Sequence, residues 1–404
     1  MSGVVIVGAG HAGVQAAAAL REDGFERAIT LLSAEAELPY QRPPLSKAYL
    51  KGQMDLAGLP LKAQPFFDKH QIGLALGVAA TRIDRAGRFV ELSNGETTPY
   101  DHLILATGAR ARTLRAPGLD IAGVHVLRTI RDAALLKEEM GRARRLVVVG
   151  AGFIGLEAAA TACALGLHVT VVEIADRPMG RAVSPATSAF FEAAHRGFGA
   201  EFRFGAGLAA LQGGPRVTQA ELSDGTRLPA ELVLVGVGVV AEDALALAAG
   251  VDCADGVLVD DQLVSSDPAI SAIGDCARFL FEGARTRLES VQNATDQARC
   301  VARRLTGKAE AYASLPWFWS DQGDLKLQIA GLSKGVDRWV ARGGFADRAL
   351  TVFGFMGDRL KAVETINRGA DHMAARRLLA AGTPLTAEQA ADERLDLKKL
   401  ALGR

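Results

Sequence analysis

One cluster of three glycines occurs twice in this chain. Residues 4–13 read VVIVGAGHAG and residues 146–155 read LVVVGAGFIG, so Gly8, Gly10 and Gly13 return as Gly150, Gly152 and Gly155, displaced by 142 positions. Each cluster follows a β-branched run suited to a buried parallel strand and opens an alanine-rich helical segment, residues 14–22 and then 156–165. A second strand-like run follows each helix, residues 28–32 and 168–173. That is a βαβ unit written twice, too few copies for a solenoid and the right design for a nucleotide-binding sheet. In such a unit the first glycine permits a tight turn and the second lets the backbone approach a pyrophosphate. The third lets the helix pack closely on the strand, and the helix N-terminus offers N–H donors to the phosphates.

The residue that meets the ribose is expected at the end of the second strand. In the first copy Glu35 lies 22 residues beyond Gly13, but the strand ends near Ser33, so Glu35, Ser33 or Ala34 fills that place. In the second copy Glu173 closes its strand 18 residues after Gly155. A carboxylate there accepts from both ribose hydroxyls and repels a 2′-phosphate, and no arginine immediately follows, which favours NAD(H) over NADP(H). The competing reading of Glu173 is a solvated charge at a strand end.

The rest of the chain repeats the pattern. Between the glycine clusters, residues 89–92 and 100–105 read as strands around Asn94-Gly95. Residues 217–222 and 232–237 do the same around Asp224-Gly225. A short strand and a Ser-Asp-Pro turn lie within 256–275, and a helix is expected over 293–305. Beyond Trp317, strand-like runs at 326–330, 338–342, 349–355 and 359–363 and a charged helical end at 372–403 suggest a further α+β domain.

Composition removes other classes. The 404 residues include 46 basic and 46 acidic side chains, a net charge of zero that argues against global attraction to nucleic acid or an anionic membrane. The 44 glycines have no fixed period, which excludes a collagen-like chain. Cys163, Cys253, Cys276 and Cys300 are far apart with no Cys-x-x-Cys pair, so neither zinc ligation nor a disulfide framework is expected, and no metal site is assigned. The start MSGVVIVGAG has no basic stretch before its apolar run, and no segment of about 20 residues is apolar enough to span a membrane. A soluble cytoplasmic protein is the expectation.

Two sites need two dinucleotides, or one working copy and one relic. Ala106-Thr107-Gly108 ends one strand and Gly274-Asp275 another, with Asp275 placed to hold a ribityl hydroxyl. Here the chain resembles the two-dinucleotide-binding-domain flavoproteins, whose first copy binds FAD and whose inserted second copy binds the nicotinamide nucleotide. The resemblance implies an α/β fold of two Rossmann-like domains of the glutathione-reductase type plus a C-terminal α+β domain. FAD would take residues 1–110 and 243–320, NADH residues 111–242, and the third domain residues 321–404. Residues 39–50 (PYQRPPLSKAYL), 274–277 (GDCA), 289–298 (ESVQNATDQA) and 316–322 (PWFWSDQ) are similar to the signatures of the oxygenase-coupled ferredoxin reductases, and the similarity covers essentially the whole chain.

That resemblance implies Ala12, Ser33, Ala34, Arg42, Lys47, Ala80, Arg128, Asp275 and Val291 around FAD, beside Gly8, Gly10, Gly13, Glu35, Thr107, Gly108 and Gly274. It implies Ile154, Glu157, Glu173 and Gly238 around NADH, with Gly150, Gly152 and Gly155. Trp319 is expected at the flavin edge. Ala241-Glu242 replaces the family's usual Pro-Asn and sets the nicotinamide-side loop apart. Lys47 and Glu157 are the candidate catalytic residues: a lysine near the flavin stabilises the negative charge of its reduced form, and a buried lysine keeps its own charge best beside a carboxylate. The plainer readings are a surface lysine and a helix N-terminal acid.

Related flavoproteins pass electrons to a cysteine pair or a reactive single cysteine, but the segment 38–50 holds Ser46 and no cysteine. Cys276 reads as inert packing. The remaining exit is single-electron transfer to a [2Fe-2S] ferredoxin that serves a cytochrome P450 or a dioxygenase. Arg299, Arg303 and Arg304, with Trp317 and Trp319 beyond, are candidates for docking an acidic ferredoxin, or else form a solvated arginine face. Alternatives are a rubredoxin reductase, an NADH oxidase-like flavoprotein, and an NADH-responsive binding protein like the apoptosis-inducing factors.

Overall fold

The computed structural model describes residues 3–403. They form two compact units: residues 3–41 with Leu56–Arg110 and Val239–Ser314, and Arg42–Asp55 with Ala111–Gly238 and residues 315–403. The short segment Arg42–Asp55, expected with the FAD-binding part, thus groups with the second unit, and so does the whole C-terminal region.

In the first unit, strands Ile72–Ala75, Ile29–Leu32, Gly3–Val7, Thr97–Leu105 and Ile270–Ala272 lie side by side, all parallel. Phe89–Leu92 and Ala80–Asp84 extend that sheet antiparallel. All five residues of Gly3–Val7 are buried, and an apolar run suits a parallel strand covered on both faces better than alternation. The first helix, His11–Glu22, begins three residues earlier than the alanine pattern suggested, with Gly10 as its N-cap, so Gly13 already sits in the first turn. It packs against Val291–Leu305, whose buried side includes Ala294, Ala298 and Ala302. Small side chains on both helices permit that close approach.

In the second unit, Ala200–Phe204, His168–Glu173, Arg145–Val149, Leu232–Val235 and Val124–His125 form a parallel sheet in that order. An antiparallel meander, Leu208–Gly213, Val217–Leu222 and Arg227–Pro229, adjoins it in the chain. The C-terminal region is a five-stranded antiparallel sheet in the order Trp317–Gln322, Leu325–Gly331, Arg359–Ile366, Ala349–Met356, Arg338–Gly344. Its end, expected as one helical stretch, is three helices: Gly369–Ala381, Ala387–Ala391 and Leu397–Leu400. Gly382, at φ +63°, stops the first in the left-handed conformation that ends many helices.

The C-terminal sheet does not stand apart. Leu325, Leu327, Leu350, Val352 and Ile366 belong to one buried cluster with Leu146, Val148, Leu156 and Phe191 of the second Rossmann sheet and its helices. A buried carboxylate ties the same two layers. Glu364 accepts from the Ser184 N–H (2.8 Å) and the Ser184 hydroxyl (2.6 Å), and Ser184 caps helix Pro185–Gly197 by accepting from Thr187 N–H. Burial holds the Glu364 carboxyl above the usual range although these donors favour its charged form.

Ser184→Ala removes a helix cap and one of the donors of a buried acid, so it is expected to lower stability by about 2–4 kcal/mol. The urea midpoint of the purified protein measures this. A change below about 0.5 kcal/mol would show the tie to be dispensable.

Candidate functional site

The glycines of each cluster divide by role in the same way. At Gly8, φ is +110° and a Cβ would lie 2.2 Å from the Ala106 carbonyl oxygen; at Gly13 it would lie 1.9 Å from the oxygen of Gly8. In the second copy, Gly150 has φ +103° and a Cβ 2.4 Å from the Gly236 oxygen, and Gly155 would meet the oxygen of Gly150 at 2.2 Å. The first and third glycines are therefore required by the protein's own backbone. The middle ones are not: a Cβ on Gly10 or Gly152 would meet nothing within 4 Å. Helices Ile130–Met140, Pro185–Gly197 and Val291–Leu305 are capped by Thr129, Ser184 and Ser290, whereas Gly10 and Gly152 cap theirs without any side chain. Open backbone at an uncapped helix N-terminus is what a pyrophosphate requires, so both cradles fit a dinucleotide.

In the first unit the parallel register aligns Val7 with Leu32 and Leu105, and Leu105 with Ala272, so the carboxyl ends of four strands finish level. The loops that leave them hold Gly8–Gly13, Ser33–Glu35, Ala106–Gly108 and Gly274–Asp275, the place where open α/β sheets bind ligands. Gly274, at φ +74°, comes within 3.1 Å (as a Cβ) of the Ala12 methyl, and its N–H donates to Gln297 (2.7 Å). Val291 opens the helix that carries Gln297. The strand ends at Leu32, as the pattern indicated, and Glu35 lies beyond it, accepting from the Tyr40 hydroxyl. Val78 N–H donates to the Ser33 carbonyl (2.8 Å), which brings Ala80, at the start of its strand, close to that loop. Thr107 donates to the Glu242 carbonyl (2.5 Å) and Glu242 N–H to Gly108 (2.9 Å), so the atypical Ala241-Glu242 loop is anchored through its backbone.

In the second unit Glu173 closes strand His168–Glu173 and turns its carboxylate to the glycine loop, accepting from the N–H groups of Ala151 (2.7 Å) and Ala175 (2.9 Å). Each oxygen keeps a lone pair for a further donor. Arg177, the first arginine after it, is engaged with the carbonyls of Gly180 (2.8 Å), Val183 (3.0 Å) and Ser184 (3.3 Å). Ile154 is 45% exposed in the first turn after the cradle, and Gly238 takes φ +97° beyond the strand that ends at Val235. Arg42 donates to the Arg128 carbonyl (2.6 Å), which joins two residues distant in sequence.

Lys47 and Glu157 meet at 2.9 Å. Glu157 is 3% exposed and Lys47, which follows the short helix Pro43–Ser46, is 20% exposed. The carboxylate also accepts from the hydroxyls of Ser46 (2.5 Å) and Ser320 (2.6 Å), and Thr161 donates to the Ser46 carbonyl (3.0 Å). Burial raises the Glu157 carboxyl above the usual carboxylate range, against the opposing pull of Lys47, Ser320 and Ser46. The two serines were not singled out from sequence, although both lie inside the quoted PPLSK and WFWSDQ segments. Trp319, the neighbour of Ser320, is half-buried with its ring 5.6 Å from that of Trp317.

One docking candidate is corrected. Arg299 and Arg303 are exposed, with Arg303 paired to Glu310 (2.7 Å), but Arg304 turns inward and donates to Ser271 (2.6 Å) beside His102. Its position one residue past Arg303 rotates it about 100° around the helix, onto the packed side. Burial and the Arg304 charge lower the His102 pKa to about 3, so the imidazole is neutral.

The four cysteines are free thiols. Burial pushes Cys163, Cys253 and Cys300 up to about 11 and raises Cys276 too, so none is a thiolate near neutral pH. Among the described residues no cluster of His, Cys, Asp and Glu could hold a metal ion, and no helix is long and apolar enough to cross a membrane.

Comparison with known proteins agrees with this arrangement. Residues 2–298 match the pyridine nucleotide-disulphide oxidoreductase model and residues 317–401 the reductase C-terminal model. The chain is 48% identical to rhodocoxin reductase from Rhodococcus erythropolis, over 99% of this chain and 94% of that one. The ferredoxin reductase for the CYP199A2 system from Rhodopseudomonas palustris superposes with a TM-score of 0.97 at 49% identity, over 99% of this chain and 100% of that one. A chain from the covalent putidaredoxin reductase–putidaredoxin complex superposes at 0.96 and 38% identity, over 100% and 98%. With two nucleotide cradles and an added C-terminal sheet, the chain belongs to the pyridine nucleotide-disulphide oxidoreductase family.

Proposed function

We propose that this chain is an FAD-dependent NADH:ferredoxin reductase whose [2Fe-2S] partner supplies a cytochrome P450 or another oxygenase, in the cytoplasm. The observation that carries the reading is the pairing of two open dinucleotide cradles with four free cysteines whose thiols burial disfavours as thiolates. The rhodocoxin, CYP199A2 and putidaredoxin reductases support it as relatives along essentially their whole length.

Bound FAD supplies the conversion of a hydride into single electrons; the chain binds, orients and holds charge. The first cradle is assigned to FAD, with Thr107, Gly108, Asp275 and the Ser33–Glu35 loop. The second is assigned to NADH. There the Glu173 carboxylate, fixed by two backbone N–H groups, accepts from the adenosine ribose, and Arg177 is too committed to backbone carbonyls to welcome a 2′-phosphate. Lys47, paired with Glu157 at 2.9 Å, is assigned to the negative charge of the reduced flavin. No thiol can take the electrons, so they leave for an external carrier, with Arg299 and Arg303 the remaining docking candidates.

The purified yellow protein is expected to reduce ferredoxin with NADH much faster than it reduces oxygen, and to keep that activity after alkylation with N-ethylmaleimide. A colourless protein, or one that mainly forms peroxide, overturns the reading; preference for rubredoxin in the same assay selects the rubredoxin reductase alternative. Gly152→Ala is expected to fold normally yet weaken NADH binding by roughly tenfold or more, since its methyl occupies the phosphate approach. Gly150→Ala, strained at φ +103°, is expected to lose the fold instead, and NADH titration beside circular dichroism separates the two. Arg299→Glu with Arg303→Glu is expected to slow ferredoxin reduction and flatten its salt dependence while ferricyanide reduction is unchanged. An unaltered salt profile would remove that face from docking.

A further inference from the structure

Residues 320 and 322 share one side of strand Trp317–Gln322, and that side faces the interior: Ser320 and Gln322 are fully buried. Helix Pro185–Gly197 brings a third fully buried polar residue, His195, to the same place. The three form an unbroken series ending on the carboxylate of the ion pair. His195 Nε2 lies 2.8 Å from Gln322 Oε1, Gln322 Nε2 lies 3.2 Å from Ser320 Oγ, and Ser320 Oγ lies 2.6 Å from Glu157 Oε1.

Each bond has a direction that chemistry dictates. Burial lowers the His195 pKa to about 4, so its ring is neutral and has one N–H. Gln322 Oε1 can only accept, which puts that proton on Nε2 and leaves Nδ1 as a bare acceptor, without a partner among the described residues. The glutamine's other end can only donate, to Ser320 Oγ and to Met179 Sδ (3.6 Å). A serine hydroxyl has one proton, and with its oxygen already accepting, that proton points to Glu157. The donor is thus aimed before the carboxylate needs it.

We propose that Ser320, Gln322 and His195 are positioning residues that orient the Glu157 carboxylate on Lys47, so that the C-terminal sheet is a working part of the hydride-transfer machinery. This rests on the roles given to Lys47 and Glu157 above. The series stabilises the ionised acid that burial disfavours, and ionised Glu157 keeps Lys47 paired. Lys47 is the charged group acting on this carboxylate, and Ser46 and Ser320 are neutral. Arg145, His168, Glu173, Glu201, Arg203 and Asp321, on strands packed against the Glu157 helix, are exposed or half-exposed.

The test compares the FAD-loaded protein with Glu157→Gln, Ser320→Ala, Ser320→Cys and Gln322→Leu. Two readouts are followed against pH: the rate of flavin reduction by NADH without oxygen, and the infrared carbonyl band of the protonated Glu157, which needs no turnover. Glu157→Gln should abolish the acid limb of the rate profile and the band. Ser320→Ala should move both upward by about one pH unit, because a lost donor to a charged group favours its protonated form. Ser320→Cys and Gln322→Leu should move them less, with NADH affinity kept within about twofold. Circular dichroism identifies any variant that fails to fold, and the two milder variants then decide the matter. Loss of the limb in Glu157→Gln with no movement of limb or band in the others overturns the positioning network alone. A limb that persists in Glu157→Gln overturns the role of the ion pair, while the band still decides the network.

Discussion

Both nucleotide sites depend on backbone touching backbone. The turn after each first strand runs so close to a neighbouring strand end that a single Cβ would overlap a carbonyl oxygen, at Gly8 against Ala106 and at Gly150 against Gly236. The third glycine then closes the helix onto the turn itself. Such contact leaves no room for a side chain, whereas the middle glycine faces open space. The parallel register places the other site loops level with that turn, because Val7, Leu32, Leu105 and Ala272 lie opposite one another at the strand ends.

The second constraint is electrostatic. Glu157 is an acid in a place that penalises charge, held there by an ammonium and two hydroxyls from two separate chain segments. Removing a charge's partners in such surroundings costs far more than the same change at the surface. This concentrates the polar chemistry of the second unit at one point and draws the C-terminal sheet into it. Glu364 does the structural counterpart a few strands away, where a buried carboxylate on Ser184 joins that sheet to the helix after the second cradle. The two sheets share one buried cluster as a result.

Much of this was legible beforehand, and for identifiable reasons. The glycine spacing, the alanine-rich helices and strands such as His168–Glu173 and Val217–Leu222 depend on neighbours along the chain, and local pattern records them well. Helix Ile130–Met140 went unread although Thr129 and Asp132 spell a capping box, and Pro185–Gly197 although Ser184-Pro185 is a familiar helix start. Arg304 misled because Arg299 and Arg303 beside it are exposed: one step along a helix turns a side chain from solvent toward the packed side, and only the packing partner shows which. Ser46, Ser320 and Gln322 carry no signal of their own, since an isolated serine or glutamine is the least distinctive residue in any segment.

What the sequence alone determined is the doubled βαβ unit with its two glycine clusters, an acid at the end of the second copy's second strand, and four cysteines with no Cys-x-x-Cys spacing. These follow from residue type and spacing, which govern turns, helices and strands over short distances. What only the tertiary structure decided is the company each charge keeps. Lys47 and Glu157 are 110 positions apart and Ser320 another 163 beyond, and no local rule relates them. Burial and distance in three dimensions set whether an acid is ionised, a thiol reactive or an arginine exposed, because Coulomb and desolvation energies depend on surroundings rather than on order along the chain.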